Sequence, residues 1–354
     1  MNRADLAQGL LRAVQAQDFG ATPDSHRDGQ PVAHHPSIDL AVVAFPRRAA
    51  PVWANVLFSR DFPQGLVAEI GAEAGAVRNV CFLKDEQDAK GESPAWALDA
   101  DWVRMRWRVL HGSGPNRFVA PYPASLLKML VAVGVGLAVD RGLVRWPAAV
   151  EPMITVSSNE ATDEMVALLH RLQMIEPLHR RLAACGLPTL RLENTTARGG
   201  WRNADGSGVG SIHMTAWDSA RLMWLLDDDA PPAPWLPAGT ELLSRDSRAQ
   251  LRHWLAAQQL NEILSSASLR GLPGWVPGLP PELDYAHKTG TTDNYASDAG
   301  IVRGRGPETR HYIVAVLTSL GRRYAPDPAC ATTWRLPALG AAIDALLAPW
   351  LETT

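Results

Sequence analysis

The chain has 354 residues, 46% of them hydrophobic and 20% charged, with a formal net charge of −3. That balance belongs to an ordinary globular protein with room for a sizeable core, and it gives no reason to expect a nucleic-acid or anionic-membrane partner. Cys81, Cys185 and Cys330 lie far apart and lack metal-ligand spacing, so neither a disulfide framework nor a metal centre is expected, and a reducing compartment fits.

The first stretch, MNRADLAQGLLRAVQAQDFG, is amphipathic and lacks the apolar centre of a signal peptide. The longest apolar run, Met129 to Val139, is far short of the ~20 residues that span a bilayer. A cytoplasmic protein without a membrane anchor is the expectation. Residues 20–37 are polar, Pro-containing and aperiodic, and read as a flexible linker after the N-terminal helix. The pair His34–His35 within them has no flanking carboxylate or cysteine to complete a metal site. IDLAVVAF and VWANVLF follow as short strands bounded by prolines, PQGLVAEIGAEAGAV as a short helix and RNVCFL as a strand. In DWVRMRWRVL, Val103, Met105, Trp107 and Val109 alternate with Arg104, Arg106 and Arg108, which predicts a strand with a solvated basic face.

From Ser125 the character changes. SLLKMLVAVGVGLAV is apolar all round, the mark of a fully buried helix, with Gly142 placed to end it. Helical patterns continue through SNEATDEMVALLHRLQ, IEPLHRRLAACG, TAWDSARLMWLL and RDSRAQLRHWLAAQQLNEILSS, with Gly186 as a stop and Thr215 as a cap. Strand chemistry returns in YAHKTGTT, DAGIVRG and RHYIVAVLTSL, and an amphipathic helix over roughly 333–351 closes the chain. The order predicts an α/β (α+β) fold in which terminal strand groups join in one antiparallel sheet flanked by helices, with an all-α lobe inserted between them. The boundaries are a helix and linker over 1–37, an α/β lobe over about 38–124 and 271–354, and a helical lobe over about 125–270.

Only four of the 34 basic residues are lysines: Lys84, Lys90, Lys128 and Lys288. The first two lie in a polar stretch. Lys128 lies in an apolar helix, in a chain that otherwise uses arginine. A buried lysine loses its proton readily, whereas arginine does not, so Lys128 reads as a base. Ser125 precedes it by three residues, and the two share a helix face. Burial favours the neutral amine, which then takes the hydroxyl proton as Ser125 attacks a carbonyl. A backbone N–H at this helix start is free to meet an oxyanion. The alternative reading is a lysine whose stem packs while its amine reaches solvent.

Ser125-Leu-Leu-Lys128, Ser157-Ser158-Asn159 and Lys288-Thr289-Gly290 occur in that order as S-x-x-K, S-x-N and K-T-G. With YPASLLKM, MITVSSNEATDEM, SIHMTAWDSARLMWLL, AHKTGTT and the terminal helix, this set resembles the serine β-lactamases and penicillin-binding proteins, nearest the class A type, over roughly residues 100–354. The resemblance implies a β-lactamase/transpeptidase-like fold with the site between the lobes. It implies Ser125 as nucleophile and Lys128 as base, Ser157 relaying a proton to the leaving atom, and Asn159 holding Lys128 and a substrate amide. Lys288 would supply positive charge near a substrate carboxylate, Thr289 would bind that carboxylate beside Gly290, and the Thr291 N–H would be the second oxyanion donor. It implies no cofactor.

Three departures are visible. The stretch between Ser125 and Ser157 is shorter than in class A enzymes, which implies a more open cleft. No glutamate matches the class A deacylating base: Thr196 falls near that position, Glu193 is three residues earlier as the nearest substitute, and Glu160 and Glu164 lie on the S-x-N helix. The strand after K-T-G carries Ser297 where an arginine clamp would align, with Arg303 nearby. The expectation is a serine hydrolase or acyltransferase acting on an amide or ester, the partner being a small carbonyl substrate with a carboxylate, and poor at β-lactam turnover. The alternatives are a β-lactamase with an atypical base and a non-catalytic penicillin-binding sensor. The loop Gly199–Gly210, with Trp201, reads as an ordinary flexible connection, the alternative being a segment that lines the cleft.

Overall fold

The structure, a computed structural model, describes residues 2–86, 104–200, 212–305 and 310–353. Nine strands are described: β1 Ile38–Ala44, β2 Val52–Phe58, β3 Leu66–Val67, β4 Val80–Asp85, β5 Trp107–His111, β6 Asn116–Val119, β7 Leu283–Thr291, β8 Ala296–Gly304 and β9 His311–Thr318. The eight α-helices among the described residues are α1 Arg3–Gln15, α2 Lys128–Asp140, α3 Val150–Thr155, α4 Asn159–Arg171, α5 Ile175–Ala184, α6 Ala216–Leu226, α7 Arg245–Ala256 and α8 Arg335–Thr353. No described helix is long and apolar enough to cross a membrane.

The six-stranded sheet runs β3-β2-β1-β9-β8-β7 and is antiparallel throughout. The pairing of β1 with β9, Ala41 opposite Ala315, joins the two ends of the chain and leaves α2–α7 as an insertion. Alternate residues of β1 serve two cores. Ala41 and Val43 face the helical lobe, while Leu40 and Val42 face α1 and α8 through Leu6, Leu10, Leu339 and Ile343. A second sheet, β5-β4-β6, stands beside the lobe junction.

α2 is buried on every side from Met129 to Ala138 because it is the central post of the helical lobe. It ends as its glycine predicts: Gly142 adopts φ +70, its N–H donates to Val139 O, and Leu143 N–H donates to Ala138 O. Gly186 closes α5 in the same manner at φ +71.

Several expectations are corrected. Residues 20–37 are pinned: Asp24 pairs with Arg323 at 2.5 Å, Ser25 Oγ donates to Arg323 O, and Pro23 bridges to Pro31. PQGLVAEIGAEAGAV forms no helix; Gly65, with φ +88, and the turn around Gly71–Ala74 leave the two-residue β3 and an isolated bridge. β5 begins at Trp107, and Val109 is 61% exposed, so its apolar alternation marks no core face. α7 stops at Ala256, and QQLNEILSS becomes a loop laid along β7. α3 lies outside every predicted element. Residues 101–103 of the predicted strand and 201–211 of the glycine-rich loop lie outside the described residues.

Candidate active site

Ser125 sits in a 3-10 turn, Ala124–Leu127, that leads directly into α2 at Lys128. In 3-10 geometry residues three apart eclipse, so Ser125 and Lys128 project on one side. The turn is strained at its start, where Ala124 holds φ +50, a left-handed value costly for a residue with a Cβ. Ser157 is the second strained residue of the site, at φ +58. Both side-chain hydroxyls are half-buried.

β7 is the edge strand of the large sheet and runs past this turn. A Cβ at Gly290 would lie 2.5 Å from Pro123 O and 2.7 Å from the backbone nitrogens of Ser125 and Leu126. Only glycine permits that approach. Gly290→Ala is expected to push β7 off the serine turn, at a cost of about 1–3 kcal/mol and with loss of Ser125 reactivity. A thermal melt and an acylation assay read the two effects; unchanged values in both would show that the seam is loose. Ser297, opposite Gly290 in the register, donates from Oγ to Pro123 O at 2.5 Å. It holds the serine turn in place and is no substrate clamp. Arg303 lies six residues further along β8, ~20 Å away at 3.3 Å per residue, bonded to Asp227 and Asp229.

Lys128 is 0% exposed. Its Nζ donates to Ser157 O at 2.6 Å, Ser157 Oγ at 3.1 Å and Asn159 Oδ1 at 2.8 Å. Lys288, also 0% exposed, donates from Nζ to Ser157 Oγ at 3.0 Å and Thr289 O at 2.8 Å. One hydroxyl therefore stands between two buried amines. Burial pulls Lys128 down to about 7, partly opposed by the charge of Asp163. Lys288 is pulled down to about 7 by burial and by the neighbouring Lys128, against the pull of Asp298 and Glu262. S-x-N is positioned by α4: Ser158 caps the helix through Ala161 N–H, leaving Ser157 just before it and Asn159 in its first turn.

Behind Lys288, His287 Nδ1 donates to Asp298 Oδ1 at 2.8 Å, and Leu264 N–H donates to Asp298 Oδ2 at 3.1 Å. Asn261 uses its Nδ2 on Gln258 O, so its Oδ1 faces His287 Nε2 at 3.1 Å. The Tyr285 ring stacks on His287 with centroids 3.9 Å apart.

The structure thus brings Lys128, Ser157, Asn159 and Lys288 into one bonded cluster, with Thr289, Gly290 and Thr291 on the strand beside Ser125. It does not bring Glu193 there. That carboxylate is 2.6 Å from Lys84 Nζ on β4 and 3.3 Å from Arg191; burial raises its proton affinity, but Lys84 and Arg191 outweigh this and hold it low. Thr196 Oγ1 donates to Gly199 O. Glu160 and Glu164 are exposed. Two residues whose charge acts on the lysines escaped the sequence reading: Asp163 and Glu262. Asp163 was the legible one, because it lies one helical turn after Asn159. Among the described residues no group of three or more His, Cys, Asp or Glu is arranged to hold a metal.

A serine turn and a lysine–serine–lysine cluster thus meet where the helical insertion joins the large sheet. The family model described as "Beta-lactamase enzyme family" matches residues 139–333, more than half of the chain, and this protein belongs to that family. The matched span contains Ser157, Asn159 and Lys288 and begins after Lys128. Solved structures share the fold over nearly the whole length. A class A β-lactamase representative from Bacteroides cellulosilyticus is 13% identical with a TM-score of 0.52, covering 99% of each chain. A β-lactamase from Sphaerobacter thermophilus is 15% identical at 0.50, covering 96% of this chain and 97% of that one. A PBP-A mutant in an acyl-enzyme complex with penicillin G is 18% identical at 0.50, covering 100% and 98%. No curated protein matches by sequence.

Proposed function

We propose that the protein is a serine hydrolase or acyltransferase that works through an acyl-Ser125 intermediate and turns over β-lactams poorly. The carrying observation is Ser157 Oγ, 3.1 Å from Lys128 Nζ and 3.0 Å from Lys288 Nζ, in a junction that buries both amines beside the serine turn. Neutral Lys128 removes the Ser125 proton as Oγ bonds to the substrate carbonyl carbon. The oxyanion is met by the backbone N–H groups of Ser125 and Thr291. The tetrahedral adduct collapses, the leaving nitrogen or oxygen takes its proton through Ser157, and the two lysines restore that proton between them. Water or another nucleophile then releases the acyl group. Lys288 and Thr289 meet a substrate carboxylate, and Asn159 meets an amide. Slow release is supported by Glu193, which is held by Lys84 away from this cluster.

The test is intact-mass spectrometry after exposure to penicillin G and to an activated ester, with Ser125→Ala as control. The expected result is a one-to-one adduct that persists for minutes with penicillin G and is missing in the variant. An adduct retained by Ser125→Ala would move the nucleophile elsewhere, and rapid loss of the penicilloyl mass would make the protein a working β-lactamase.

A further inference from the structure

Ser157 and Lys288 are carried by separate elements, so the 3.0 Å between Oγ and Nζ is set by whatever holds those elements together. Ser157 lies in the turn from α3 to α4, two residues after Thr155, and Lys288 lies on β7, one residue after His287. The segment after α7 touches both. Gln258 Nε2 donates to Ile154 O at 2.9 Å and reaches His287 O at 3.5 Å. Gln259 N–H donates to Thr155 O at 2.9 Å. Gln258 O accepts from Asn261 Nδ2 at 3.1 Å, and Asn261 Oδ1 meets His287 Nε2 at 3.1 Å. The amide of Gln258 and the side chain after next but one therefore reach β7 by two routes, while α3 is held from the same stretch of chain.

Both sides of the gap need such a tie. Ile154 and Thr155 are the last two residues of α3, so their carbonyls have no partner within the helix. The turn that follows holds Ser157 at φ +58, a left-handed value that persists only where the surroundings impose it. Ser158 fixes the far side of that turn by capping α4, and the bonds to Ile154 and Thr155 fix the near side. β7 ends the sheet, so no further strand steadies it here. The seam is closed to water, with Ile154, His287 and Gln258 all buried, and a polar side chain in such a place must be bonded. Gln258 is: Leu260 N–H donates to its Oε1 at 3.0 Å. The reverse orientation of the amide would set Oε1 against two carbonyls and Nε2 against an N–H, so the side chain has one way to sit.

We propose that Gln258 is a positioning residue that clamps the S-x-N turn to the K-T-G strand and so sets the Ser157–Lys288 contact through which the leaving atom receives its proton. This rests on the acyl-Ser125 reading. Gln258→Met keeps the length of the side chain and removes its bonds, and Asn261→Ala loosens the same clamp on the β7 side should the first variant fail to fold. Single-turnover acylation is followed by mass with two probes: penicillin G, whose ring nitrogen leaves only with a proton, and nitrophenyl acetate, whose phenolate needs none. The variant is expected to slow acylation by penicillin G by up to about 10²-fold, the cost of a misplacement near 1 Å, and acylation by nitrophenyl acetate at least ten times less. A merely structural role would slow both alike. Equal slowing of the two probes, or no slowing, in folded variant overturns the clamp. A second measurement needs no reaction. With isotope-labelled lysine the chain gives four side-chain signals, and that of Lys288, assigned with Lys288→Arg, should move in Gln258→Met; an unmoved signal also overturns the clamp. Absence of any Ser125 adduct in the unmodified protein overturns the acyl-serine reading instead, and the Lys288 signal then decides the clamp alone.

Discussion

Replacing Lys128 by alanine is expected to slow acylation of Ser125 by about 10²- to 10⁴-fold, the range for a positioned general base. Lys128→Arg is expected to lose as much, because a guanidinium keeps its proton and cannot accept the serine's. The wild-type rate should rise with pH along a sigmoid centred on about 7, where Lys128 loses its proton. The direction follows from the cause: burial disfavours the ammonium, so the reactive neutral form is nearly absent well below that midpoint and dominant above it. Single-turnover acylation from pH 5.5 to 9, followed by mass, reads the curve. A flat profile, or an arginine variant at wild-type speed, would remove Lys128 from the chemistry. The same residue acts on stability. Its proton affinity is lowered from the ordinary 10.5 to about 7, so below pH 7 the folded chain carries the full penalty of a buried cation, about 5 kcal/mol at 1.36 kcal/mol per unit. That penalty fades as pH rises from 7 towards 10.5, where the unfolded chain still holds the proton and the folded one has released it.

Asp298→Ala is expected to be the most damaging change to stability, about 3–5 kcal/mol, as for a broken buried pair. His287 and Asp298 are both 0% exposed. Removing the carboxylate strands two donors at once, His287 Nδ1 and Leu264 N–H, with no water route to satisfy them. The loop carrying Asn261 and Glu262 is anchored by the same histidine, so it should loosen together with β7. Urea unfolding should show a lowered midpoint, and hydrogen exchange should show faster opening of residues 258–264. A loss below about 1 kcal/mol would mean that the cluster behind Lys288 contributes little. Asp298→Asn keeps the shape and one acceptor, and is expected to fall between the two.

Local chemistry explains what was legible before the structure. The helical block and the terminal strands are read correctly where one signal dominates: unbroken apolar residues in α2, glycine stops at Gly142 and Gly186, and the Thr215 cap. The reading fails where glycines interrupt a helical period, as in residues 63–77, and where α7 gives way to a loop bonded to β7 from far along the chain. The same division runs through the site. Short spacing exposes Ser125 with Lys128, and Ser157 with Asn159. The proximity of Lys288 to Ser157 is a product of the fold, 131 residues apart in sequence. Glu193 illustrates the converse: its place in the sequence suggests a water-activating acid, but Lys84 on a separate small sheet holds it. Glu262 belongs to no motif, and only packing brings its charge near Lys288.

The joint between the serine turn and the sheet has a mechanical consequence. Pro123 O accepts from Ser297 and sits against the bare backbone of Gly290, so the floor of the cleft is riveted to two strands. Opening the cleft at its floor would break that bond and part that close contact, which opposes a swing of the two lobes at this seam. Selection by size therefore falls to the loops at the cleft mouth, and loop grafts should alter which guests enter while leaving the intrinsic reactivity of the serine unchanged.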